Sequence, residues 1–276
     1  MIEPIKRDVR RIPTSHGAIA VEEAGEGPLP IVMIHGNSSC RAVFEHQLNS
    51  PMLRGHRLLA IDLPGHGESD NAADPELTYT RPGFSSAIIE LMQSLDLDRP
   101  VLVGWSLGGH IALEIAARMP ELRGLMICGA PPVGTVMSEA FRSAPSMRFA
   151  SQEKLSPQEI DIFGHAIFGD TFTPALRAAL ARADGRARET MFRALRAGAG
   201  VNQRQLVAVL RGPLAIVNGS NDPVVNLDYV DSVDYATLWR GRCERIPASG
   251  HACFRESPAA FNELLRDFLL DVERTV

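Results

Sequence analysis

The 276-residue sequence is poor in several features, and each shortage narrows what the chain can be. Its four cysteines, Cys40, Cys128, Cys243 and Cys253, are scattered without a CxxC pair, so no disulfide framework is legible. They read as reduced thiols in a cytoplasmic protein. There is no surplus of positive charge: 28 Lys and Arg stand against 33 Asp and Glu, a formal net charge of −5. That gives no electrostatic footprint for nucleic acid or an anionic membrane. The longest apolar runs, such as Leu29–Ile34 and Leu125–Cys128, are strand-length and far short of a membrane span. Met1–Arg11 mixes charges of both signs and lacks the apolar stretch of a signal peptide. No HxHxDH pattern and no other histidine cluster with ligand spacing is present, so neither metal nor cofactor is expected.

What is present is a rhythm. Ile5–Pro13 and Ala18–Glu23 read as an edge hairpin around His16-Gly17. Strand-like runs follow at Leu29–His35, Arg57–Asp62, Val101–Gly104 and Leu125–Cys128, separated by helical patterns at Val43–Leu48, Phe84–Leu95 and Leu107–Met119. Strands alternating with helices imply a mostly parallel sheet covered on both faces. After Pro131-Pro132 the rhythm stops. From Val133 to Arg211 only helical fragments are legible: Ser138–Arg142, Ser156–Phe168, Pro174–Arg182, Arg186–Arg196 and Gln203–Leu210. Strands return at Leu214–Gly219 and Cys243–Ile246, and Pro258–Leu270 is a final helix. The expected organisation is an α/β core formed by residues 1–132 and 212–276, with a helical cap, 133–211, inserted after the sixth strand.

In such a sheet, ligands bind beyond the C-terminal strand ends. Three strand ends carry reactive side chains. Ser106 lies in Gly104-Trp105-Ser106-Leu107-Gly108, a Gly-x-Ser-x-Gly turn between strand and helix that holds a hydroxyl up for attack. Read alone, Ser106 could be a helix N-cap. Asp222 follows Leu214–Gly219, where its carboxylate can orient a histidine ring, although alone it could be a turn residue before Pro223. Asp228 and Asp231 lie farther from the strand end. His251, after the last strand, can accept the serine proton and pass it to a leaving oxygen. The bland readings are reasonable one at a time; jointly, in the order Ser-Asp-His, they fare badly. The turn "IHGNSS" adds Asn37, whose backbone N–H would join that of Leu107 as an oxyanion hole, and whose side chain is a substrate contact or a turn former. "DLPGHGES" (62–69) reads as a brace for the site loops, with no direct catalytic role for Asp62 or His66.

The stretches "HGNSS", "DLPGHGES", "GWSLGG", "NGSNDP" and "SGHACFRESP" resemble, in order, the landmarks of the α/β-hydrolase superfamily over nearly the whole chain. "GWSLGGHIALE", "RGLMICGAPPV", "DGRARETMF", "NQRQLVA" and "GHACFRESPA" further resemble the α/β-hydrolase type of N-acyl-homoserine lactonase, the quorum-quenching enzymes. Two departures stand out. Asp222 occupies a place where that group carries glutamate, and Phe163 stands where its cap has a tyrosine. The resemblance implies a metal-independent serine hydrolase that opens the lactone ring through Ser106, Asp222 and His251. Trp105, Phe141, Met147, Phe163 and Phe168, with Asn37, are the expected substrate contacts, although packing the cap onto the core is the commoner job for any one apolar residue. Arg177, Arg182, Arg186, Arg188, Arg193 and Arg196 read as a solvated helical face. The rival readings are a general carboxylesterase with the same catalytic residues, a binding module that captures a lactone signal, and cofactor-free haloperoxidase-like chemistry. The expected partner is a small-molecule ester or lactone, and the expected state a monomer or weak homodimer.

Overall fold

Alternate residues of each central strand face opposite sides of one sheet, and both sides are apolar. Val32 and Ile34 pack into one core and Ile31 and Met33 into the other; Leu102 divides in the same way from Val101 and Val103. A computed structural model describes residues 7–274. Its eight strands are β1 (Arg7–Ile12), β2 (Ile19–Ala24), β3 (Pro30–Ile34), β4 (Arg57–Ile61), β5 (Val101–Trp105), β6 (Gly124–Cys128), β7 (Leu214–Gly219) and β8 (Glu244–Ile246). They form a single sheet in the order β1-β2-β4-β3-β5-β6-β7-β8. β1 and β2 pair antiparallel, as do β2 and β4; every other pair is parallel. Strands β3 and β5–β7 are buried along their whole length, which is why they read as continuous apolar runs rather than alternating ones.

This is the expected α/β-hydrolase architecture. The first strand was expected from Ile5; Ile5 and Lys6 lie outside the described residues. One face of the sheet is covered by the helices Arg81–Ser94 and Leu107–Arg118, the other by Pro258–Arg274. The first of these begins three residues before the expected Phe84, because Thr80 caps it through the Gly83 N–H and Pro82 sits in its first turn. Gln203–Val207 is shorter than expected.

Between β6 and β7 the chain is helical. Short 3₁₀ turns at Met137–Glu139 and Pro145–Ser151 precede the helices Pro157–Phe168, Pro174–Arg182 and Gly185–Arg196. Ser156 and Glu159 form a reciprocal capping box at the start of the first, Thr173 caps the second and Asp184 the third. This segment is tied down over the C-terminal strand ends. Tyr79 Oη donates to Asp184 at 2.7 Å, and Arg182 donates to the Ser69 carbonyl at 3.0 Å.

Candidate active site

At the end of β5 the chain turns so sharply into the helix Leu107–Arg118 that Ser106 adopts φ 52°, ψ −119°. That is a costly conformation for a residue with a side chain, kept where surrounding structure over-determines it. The two flanking glycines are a steric necessity. A Cβ on Gly104 would lie 2.5 Å from the Gly108 carbonyl oxygen, and one on Gly108 only 2.0 Å from that of Ile34. The Ser106 N–H is fixed on the Cys128 carbonyl at 2.8 Å, so the elbow is bolted to the end of β6.

Asp222 and His251 leave the ends of β7 and β8 and meet. His251 Nδ1 lies 3.0 Å from Asp222 Oδ2 and 3.2 Å from Oδ1. Oδ1 also accepts from the N–H groups of Val224 and Val225, at 2.8 and 3.0 Å. Burial pushes the Asp222 carboxyl up, but His251 and these hydrogen bonds outweigh it and hold the group below its ordinary value. An ionised Asp222 only accepts, so Nδ1 carries the imidazole proton and Nε2 presents a lone pair. The histidine loop is positioned from behind, since Trp105 Nε1 donates to the His251 carbonyl at 3.0 Å. Ser106 and His251 line the same pocket, without a direct hydrogen bond between their side chains among the described residues.

The N–H groups of Asn37 and Leu107 have no acceptor among the described residues, and both residues line that pocket. Two free donors beside a raised hydroxyl are the equipment needed to hold a developing oxyanion. The Asn37 side chain is committed elsewhere: Nδ2 donates to the Ala150 carbonyl at 2.9 Å, and Oδ1 accepts from Ser38 Oγ at 3.0 Å. It ties the β3 loop to the turn Pro145–Ser151.

The stretch 62–69 does brace these loops. His66 Nε2 accepts from the Ser38 N–H at 3.2 Å, and His35 Nε2 accepts from the Leu63 N–H at 3.0 Å. Burial holds both rings neutral, lowering His35 to about 4 and His66 to about 3. Arg188 is a correction to the sequence reading. It is buried rather than part of a solvated face, and it donates to the carbonyls of Gln152 and Glu153, both at 2.7 Å, and to Ser38 Oγ at 3.1 Å. It shares its face with Ala187 and Met191, at helical spacing, which is the only hint the sequence offers.

The pocket itself holds about 190 Å³ and is mostly apolar. Of the expected substrate contacts, Asn37, Trp105, Phe141, Met147 and Phe163 line it. Phe168 does not: its ring packs on Trp105 at 5.3 Å and stacks on Phe172, in the core beneath the site. Three polar residues that sequence reasoning left out of the site, the buried Arg81, the half-buried His110 and the exposed Arg142, also line it. Among the described residues, no group of three or more His, Cys, Asp or Glu side chains is arranged to hold a metal ion. No helix there is long and apolar enough to cross a membrane. The Cys128 and Cys253 sulfurs approach to 3.3 Å as free thiols.

Comparison with known proteins gives a consistent picture. A family model described as the alpha/beta hydrolase family matches residues 31–264. Crystal structures of the N-acyl homoserine lactonase AidH superpose with a TM-score of 0.94 at 44% identity; the one complexed with N-butanoyl homoserine covers 96% of this chain and 97% of its own. Among curated sequences, the AB hydrolase superfamily protein YisY of Bacillus subtilis (strain 168) is 25% identical, spanning 92% of this chain and 96% of its own. A 2-hydroxy-6-oxononadienedioate/2-hydroxy-6-oxononatrienedioate hydrolase of Pseudomonas sp is 29% identical over 92% of each.

Proposed function

The chain belongs to the alpha/beta hydrolase family, and we propose that it is a serine hydrolase opening the ring of N-acyl-L-homoserine lactones. The observation that carries this reading is the 44% identity to AidH, with a TM-score of 0.94, over 96% of this chain. We take the helical segment 133–211 as a cap and the rest as the catalytic core.

The geometry of Ser106, Asp222 and His251 supports the following catalytic sequence. His251 Nε2 takes the proton of Ser106 as Oγ attacks the lactone carbonyl. The tetrahedral oxyanion rests on the N–H groups of Asn37 and Leu107. Asp222 holds the imidazolium that forms. The C–O bond of the ring breaks, and the ring oxygen leaves with the proton from His251, becoming the hydroxyl of a homoseryl ester on Ser106. Water, deprotonated by His251, then releases N-acyl-homoserine. The side chains of Met147, Phe141 and Phe163 offer the acyl chain an apolar, adaptable wall. In this reading the enzyme works in the cytoplasm, without metal, as a quorum-quenching activity.

The test is turnover of a short-chain and a long-chain N-acyl-homoserine lactone with product mass. The reading requires a gain of one water with the amide intact. Release of a free fatty acid would make the protein an acylase. Simple esters cleaved in preference to every lactone would make it a general carboxylesterase.

A further inference from the structure

One wall of the pocket is polar, and the catalytic scheme does not use it. His110 lies one turn beyond Ser106 on the helix Leu107–Arg118. Its Nδ1 lies 2.8 Å from Gln203 Oε1. The orientation of the Gln203 amide is fixed from both ends: Nε2 donates to the His110 carbonyl at 3.0 Å, and Oε1 accepts from the Val133 N–H at 3.4 Å. An amide oxygen only accepts, so the proton of His110 must sit on Nδ1. Nε2 is then a bare lone pair with no hydrogen-bond partner among the described residues, on a residue that lines the pocket. Burial first, and the charge of Arg81 second, lower His110 to about 4, so the ring stays neutral at physiological pH.

Arg81 supplies the complementary group. It is 7% exposed and lines the same pocket. Glu114, 3.4 Å from Arg81 Nε, balances its charge and is itself held by the Val201 N–H. Arg81 Nη2 donates to the Ala199 carbonyl at 3.1 Å, while Nη1 has no acceptor among the described residues. Apart from the catalytic groups and the exposed Arg142, this apolar pocket therefore carries an unpartnered acceptor on His110 and an unpartnered donor on Arg81, each set by a fixed network. A methylene chain satisfies neither, and a ketone satisfies only the donor. A hydroxyl, which donates and accepts, satisfies both.

We propose that His110 and Arg81 form a hydroxyl-recognition subsite, which makes N-acyl-homoserine lactones with a hydroxyl on C3 of the acyl chain the preferred substrates. This rests on the lactonase reading above. The reach agrees with C3. Four residues of helix place His110 about 6 Å beyond Ser106 along the axis. Six bonds separate the lactone carbonyl carbon from an oxygen on C3, a span of roughly 7 Å when extended.

The experiment compares kcat/KM for N-octanoyl, N-3-oxo-octanoyl and N-3-hydroxyoctanoyl homoserine lactones, the last as separate C3 enantiomers. Wild type should favour one 3-hydroxy enantiomer about tenfold over the unsubstituted chain, the effect of one satisfied buried hydrogen bond, with the 3-oxo compound between them. His110→Phe keeps a ring in place but removes the lone pair, and should erase that preference. Gln203→Glu supplies a carboxylate that favours a protonated ring, turns Nε2 into a donor, and should move the preference to the 3-oxo chain. Wild type opening all three lactones equally well, or favouring the 3-oxo chain, overturns this inference and leaves the lactonase reading intact. No opening of any of the three overturns both. An equal loss on all three in His110→Phe, with the 3-hydroxy preference intact, also overturns it, since the acceptor would then be serving the amide or the packing.

Discussion

Replacing Asp222 by Asn tests the proton logic of the site with little disturbance to its shape. Asp222 is fully buried, and its Oδ1 is held by the N–H groups of Val224 and Val225. An asparagine keeps those two hydrogen bonds through its own oxygen, which leaves its NH₂ group facing His251 Nδ1. Two donors cannot face each other at the present 3.0 Å. The imidazole therefore gives up its Nδ1 proton and carries it on Nε2, where it can no longer accept the proton of Ser106. A wrong tautomer in an otherwise intact triad costs about 10⁴-fold in kcat. That is about 5.5 kcal/mol on the barrier. The assay is kcat/KM on N-hexanoyl homoserine lactone alongside a melting curve. The melting temperature should change little, because the geometry is kept. Asp228→Asn is the control: Asp228 is exposed on the short helix Leu227–Asp231, and its variant should stay within a factor of two of wild type. A variant at 222 that folds and retains more than a tenth of wild-type activity, or a larger loss at 228, would refute the reasoning.

Other consequences are equally open to measurement. Phe163 is fully buried, with its edge on Phe149, so Phe163→Ala should cost roughly 3–5 kcal/mol in urea unfolding and move the best acyl chain to a longer one; an unchanged chain-length profile would remove it from the substrate wall. Each methylene buried along that wall is worth up to ~0.8 kcal/mol, so two more carbons should improve kcat/KM about tenfold until the pocket is full. Arg188→Met takes the guanidinium donors from two part-buried carbonyls and releases Ser38, so it should destabilise the fold by roughly 1–3 kcal/mol and lower kcat more than it raises KM. His35, His66 and His110 are lowered from 6.5 to about 4, about 3 and about 4. The unfolded chain thus binds protons below about pH 6.5 that the folded chain takes up only near pH 4 to 3, so stability should fall as pH drops from 6.5 toward 4. Urea unfolding that is flat between pH 7 and 5 would contradict the neutral, buried state of these rings.

What the sequence disclosed, and what it hid, follow from the range of the interactions involved. The sheet was legible because β3, β5, β6 and β7 are buried on both faces and must be apolar throughout. The elbow was legible because Gly104 and Gly108 are dictated by contacts inside one short turn and with the neighbouring strand. The placement of Asp222 beside His251 followed from strand-end logic. The side-chain networks did not announce themselves. Arg188 reads like its exposed neighbours because its partners, Gln152, Glu153 and Ser38, are distant in sequence and two of them are backbone carbonyls. Phe168 and Phe163 sit on one helix and look alike on paper, yet only the fold decides that Phe163 reaches the pocket while Phe168 packs on Trp105. His110 and Arg81 belong to core helices, so a reading that sought substrate contacts in the cap passed over them.

The central claim is that Ser106 attacks a lactone carbonyl. In a lactone the leaving oxygen stays tethered to the acyl group, so the covalent intermediate weighs as much as the enzyme plus the whole substrate. The direct measurement is rapid acid quenching of wild type and Ser106→Ala with N-hexanoyl homoserine lactone, followed by peptide mass mapping and by steady-state rates on both proteins. The account predicts an adduct of full substrate mass on the peptide containing Ser106, no adduct in Ser106→Ala, and a loss of activity of several orders of magnitude in that variant. A folded Ser106→Ala protein that keeps more than a tenth of wild-type turnover, or an adduct on Ser106 with the mass of the fatty acyl group alone, would contradict it.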